Sequence, residues 1–111
     1  MTFMRIAAAS VIAAGIGALC VQGAAAQLSG PQRDEFIQGS IKSCTKTAST
    51  DHPEIPAATI GVYCTCMAAA EADITTQADI DYINSHGSPT DDFRQRVLAL
   101  APACNAKAGL R

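Results

Sequence analysis

The chain has 111 residues, enough for one domain. Its formal net charge is −2, and its few basic residues are scattered singly, which excludes the clustered Lys and Arg that a nucleic-acid partner requires. Trp is absent and much of the apolar content is alanine, so the core is thin and core burial alone gives only marginal stability.

Residues 1–26 read as a secretory signal. Arg5 gives a short positive start, Ile6 to Val21 is an uncharged run of small and apolar residues, and Ala24-Ala25-Ala26 offers a cleavage site before Gln27. A membrane anchor would need about 20 strongly apolar residues, and this run is shorter and only weakly apolar. Cys20 lies inside the signal. Gly17 and Leu19 hold the positions of a lipoprotein signal the wrong way round, so Cys20 is expected to leave with it. Cleavage leaves residues 27–111 as the mature domain, with seven basic and ten acidic residues and a formal charge of −3.

That domain keeps four cysteines: Cys44, Cys64, Cys66 and Cys104. An even count in a short exported chain implies a disulfide framework. Only Phe36, Tyr63, Tyr82 and Phe93 are aromatic in it. Crosslinks are the usual supplement to so small a core.

Four helices are expected and no strand, because no run alternates apolar and polar residues. The first begins near Ser29-Gly30-Pro31-Gln32, where Ser29 and Gln32 have capping-box spacing. Ile37, Ile41, Cys44 and Ala48 then share one buried stripe, and Ser49 to Pro53 end the helix. The second begins between Asp51 and Pro56, with Asp51 and Glu54 as a further capping pair, and runs through Tyr63-Cys64-Thr65-Cys66 to about Asp73. Its alanines and glycine keep it slim and its body carries little charge, which marks it as the central helix. Thr76 and Asp79 cap a short third helix, which Gly87 stops. Ser88, Pro89 and Asp91 open the fourth, with Phe93, Val97, Leu100 and Cys104 on one stripe and a break near Leu98 to Ala101 before Pro102.

Residues two apart on a helix point about 200° apart. Cys64 and Cys66 therefore diverge, and each must reach a different neighbour, one toward Cys44 and one toward Cys104. Two pairings satisfy this. In an antiparallel hairpin Cys64 lies nearer the level of Cys44 than Cys66 does, by about 3 Å, which favours Cys44–Cys64 with Cys66–Cys104.

The same divergence argues against the chemical alternatives. A redox pair needs two sulfurs free to bond each other at an exposed helix start. Copper or zinc binding by cysteine, Met67, His52 and His86 needs donors that converge on one ion. No nucleophile elbow, phosphate loop or carboxylate pair stands out. The expectation is a non-enzymatic protein with no catalytic residue, cofactor or metal.

Thr75-Thr76-Gln77, Tyr82-Ile83, His86 and Ala99-Leu100-Ala101-Pro102-Ala103-Cys104 resemble small secreted helical immunity proteins of the Rap/Tai type, which inhibit amidase effectors of type VI secretion. The resemblance covers about residues 74–104. It implies a helical, disulfide-bonded protein that acts by binding an enzyme. The sequence thus points to an all-α, four-helix domain crosslinked by two disulfides, in the periplasm of a Gram-negative bacterium or secreted from it. Its expected role is a protein-binding factor of inhibitor or immunity type with a periplasmic protein as partner. The alternatives are a periplasmic stress chaperone and, behind it, a thiol-redox or copper-binding protein.

Overall fold

The structure, a computed structural model, describes residues 27–111; the predicted signal and Cys20 lie outside the described residues. The fold is all-α. Its helices are α1 (Gly30–Asp51), α2 (Ala57–Ile74), α3 (Gln77–His86), α4 (Asp91–Leu98) and α5 (Ala101–Ala108). The predicted fourth helix is divided into α4 and α5 by a turn at Ala99 and Leu100. Pro102 explains the division, since it has no N–H to give to the carbonyl four residues back. Among the described residues the extended pairing is an isolated bridge between Gln27 and Thr76.

α2 is the spine. It packs on α1 along one side and on α5 along another. It supplies Ile60, Cys64, Met67, Ala68 and Ala72 to the core, which Leu28, Phe93 and Cys104 complete. Small side chains at Ala68 and Ala72 let the neighbouring segments come close enough to cover them. The stripe expected on α1 is only half-buried: Ile37, Ile41, Cys44 and Ala48 are all partly exposed, and no residue of α1 is fully buried. A helix packed against a single neighbour cannot do more.

The helix ends depart from expectation in three places. Ser29 takes the N-cap position of α1, yet its side chain makes no capping bond. Pro31 stands where one of the two N–H groups it would serve should be. The Asp51–Glu54 cap does not form, because α1 continues through Asp51 and α2 starts only after Pro56. Glu54 instead lies 3.3 Å from His52. At α4 the cap is Thr90 rather than Ser88: its hydroxyl accepts from the Phe93 N–H at 3.0 Å. Starting there puts both Asp91 and Asp92 in the first turn, where they suit the positive end of the helix dipole.

The third helix has the expected ends. Thr76 and Asp79 form a reciprocal capping box, and Gly87 ends α3 in the left-handed region at φ 78°. A side chain at Gly87 meets open space, so the cost of adding one is purely conformational. Gly87→Ala is expected to destabilise the protein by about 1 kcal/mol, read as a lower urea midpoint with an unchanged slope.

Candidate functional site

The two sulfurs of the central stretch leave α2 in opposite directions. Cys64 bonds Cys44 on α1 and Cys66 bonds Cys104 on α5, each with a Cα–Cα separation of 5.6 Å. Cys64 and Cys104 are buried, whereas Cys44 and Cys66 are half-buried. A salt bridge from Arg33 to Asp73, at 2.9 Å, ties the start of α1 to the end of α2.

The stapled spine carries a second junction at its C-terminal end. Thr75 is fully buried, and its hydroxyl donates to the Glu71 carbonyl at 2.6 Å. Arg96 reaches across from α4. It donates to the Ile74 carbonyl at 3.0 Å, to the Asp79 carboxylate at 3.0 Å and to Asp92 at 2.9 Å. One guanidinium thus joins α2, α3 and α4, and it lies 5.1 Å from the centre of the Phe93 ring. Burial alone would push the Asp79 carboxyl up. Hydrogen bonds from the Thr76 N–H, Arg96 and the Thr76 hydroxyl, with the attraction of the Arg96 charge, outweigh that and hold it below the ordinary carboxylate value. The Asp79 and Asp92 bonds hold Arg96 above its own.

The other singled-out residues are dispersed. Met67 is buried in the core. His86 stacks on Tyr82 at 3.9 Å, with its Nδ1 3.0 Å from the Tyr82 carbonyl. His52 lies in the turn after α1 and, with Tyr63, lines a groove of about 430 Å³ that also touches Cys44 and Leu110. Among the described residues, no cluster of three or more His, Cys, Asp or Glu side chains is placed to hold a metal ion.

One apolar surface was not among the features expected from the sequence. Glu71, Pro89, Phe93, Arg94, Val97 and Leu98 line a cleft of about 290 Å³ whose walls are almost wholly apolar. That is at the small end of ligand pockets, which run to about 1,000 Å³. Leu98 is 62% exposed at its edge. The Glu71 carboxyl is half-buried beside it, and burial pushes it above the ordinary glutamate value. Leu98 carried the available signal: it lies next to Val97, off the Phe93–Val97 stripe, so a helix over these residues must turn a large apolar side chain outward.

The chain matches no family model, curated protein or solved structure.

Proposed function

We infer that the protein is a small exported, non-enzymatic binding factor of inhibitor or immunity type, and that it grips its partner with the apolar cleft on α2 and α4. The observation that carries this reading is Leu98, 62% exposed at the rim of a cleft walled by Phe93, Val97 and Pro89. Exposing a leucine costs burial that the thin core can ill spare, about 2 kcal/mol for a whole side chain. A contiguous apolar patch with a polar surround is the usual form of a protein-binding surface.

Export is supported by the two disulfides, which persist in oxidising compartments. Among the described residues no helix is long and apolar enough to cross a membrane. Leu28, two residues beyond the expected cleavage point, is buried, and the Gln27 amide donates to the Asp73 carbonyl at 3.0 Å. Cleavage after Ala26 therefore leaves intact the contacts that anchor the start of the domain.

The test is capture from the periplasmic fraction with the oxidised protein and its Leu98→Ser variant. The reading expects a stoichiometric partner that the variant recovers at about a tenth of the amount or less, a loss of about 1.4 kcal/mol. Equal recovery by both proteins, or no partner at neutral pH, contradicts it. The half-buried Glu71 favours one second reading, an acid-activated chaperone. Protonation would remove the only acidic group lining the cleft and make its surface more apolar. That reading expects apolar-dye fluorescence to rise as the pH falls through the raised Glu71 value, and a flat signal removes it.

A further inference from the structure

Resting on the binding reading above, we propose that the cleft is built for a partner segment that pairs one apolar side chain with an adjacent Lys or Arg. The apolar side chain would lie against Phe93, Val97, Leu98 and Pro89, and the cation would lie against Glu71.

The charge arrangement around the cleft supports this choice of occupant. Two ionisable groups line it, Glu71 from α2 and Arg94 from α4. Arg94 donates to Asp91 at 2.9 Å, an exposed contact within one turn of α4. Arg96, one turn of helix from Asp92, is turned inward onto Asp92, Asp79 and the Ile74 carbonyl. Among the described residues no Lys, Arg or His forms a salt bridge with Glu71. The cleft therefore carries one carboxylate and one guanidinium, and of the two only Glu71 is without a salt-bridge partner among the described residues. The domain as a whole is acidic in the same sense.

An uncompensated carboxylate at the edge of an apolar cleft disfavours a purely apolar occupant, because docking would strip its remaining water without replacement. A partner cation replaces that water. It also complements the surface field that guides encounter. Leu98 and Glu71 thus act together, one excluding water and the other selecting charge. Unlike the chaperone reading, this pairing weakens on acidification: the cation lowers the Glu71 value on binding, so protonating Glu71 opposes binding.

The experiment measures fluorescence anisotropy with the full oxidised protein and three labelled helix-forming peptides at pH 7. One carries Leu and Lys on a single face, one has Glu in place of Lys, and one has Ser in place of Leu. The Leu–Lys peptide is expected to bind, and each of the other two to bind at least about tenfold more weakly. Leu98→Ser and Glu71→Gln should each weaken the Leu–Lys peptide by about tenfold. Glu71→Gln removes a half-buried charge, so it should unfold at a temperature equal to or above the parent, which separates lost binding from lost fold. Equal binding of the Leu–Glu peptide, or unchanged binding by Glu71→Gln, overturns the proposal. So does no binding of the Leu–Lys peptide at millimolar concentration. If a natural partner is captured through Leu98 but binds Glu71→Gln as tightly as the parent, the charge pairing fails while the binding function stands.

Discussion

Replacing Cys66 and Cys104 together by alanine is expected to lower the unfolding free energy by about 4 kcal/mol, and replacing Cys44 and Cys64 by about 3 kcal/mol. The difference follows from loop length. The bonds span 38 and 20 residues, and the entropy withheld from the unfolded chain grows with the logarithm of that span. Losing either is severe because the core is small: eight apolar residues are buried among the described ones, and two of them, Cys64 and Cys104, belong to the bridges themselves. The Cys66–Cys104 pair carries a further burden. α5 is a short helix whose main packing partner is α2, so without the bridge it has few other contacts to hold it. Urea unfolding at pH 7 of the two double variants checks this. A loss below about 1 kcal/mol for either would mean that its bridge hardly constrains the unfolded chain.

The second large effect is expected at Asp79. Its side chain is 15% exposed and serves at once as the acceptor of the α3 capping box and the counter-ion of Arg96. Asp79→Ala removes the cap bond to the Thr76 N–H and leaves Arg96 with one carboxylate fewer, at a cost of about 2–3 kcal/mol. The cost is pH-dependent with a definite sign. A carboxyl held low in the folded state contributes stability that is whole above its ordinary value of 3.8 and is lost as the pH falls below that toward the folded value. The gap in unfolding free energy between parent and variant should therefore be widest near neutrality and narrow below about pH 4. A gap that stays constant down to strong acid would show that Asp79 acts by packing and not through its charge.

These two junctions show what could and could not be read from the residues. The helical class and the divergence of Cys64 and Cys66 follow from local periodicity, because 100° per residue is fixed whatever surrounds the helix, and the central position of α2 follows from its small side chains and nearly uncharged body. Thr76, Asp79 and Gly87 were legible for the same reason, since caps depend on neighbours a few residues away. Caps failed where Pro31 withheld an N–H from Ser29, where α1 ran on through Asp51, and where two candidates competed. Ser88 and Thr90 both offer a hydroxyl before an acidic residue, and only the packing of Phe93 and the charge of the first turn choose between them. The Arg96 junction was not legible, as it joins residues 17 and 22 positions apart across three helices. The cleft was hidden similarly. Leu98 is legible as an outward-facing apolar residue, but Glu71 looks like one charge in an alanine-rich helix until α4 is placed beside it.

The fold depends on α2 being tethered to a separate helix on each side. Peptide mapping by mass spectrometry of the unreduced protein tests this most directly. The fold predicts one crosslinked fragment joining Cys44 to Cys64 and another joining Cys66 to Cys104, which requires cleavage or fragmentation between Cys64 and Cys66. A bond between Cys64 and Cys66, or free thiols at these positions, would contradict it.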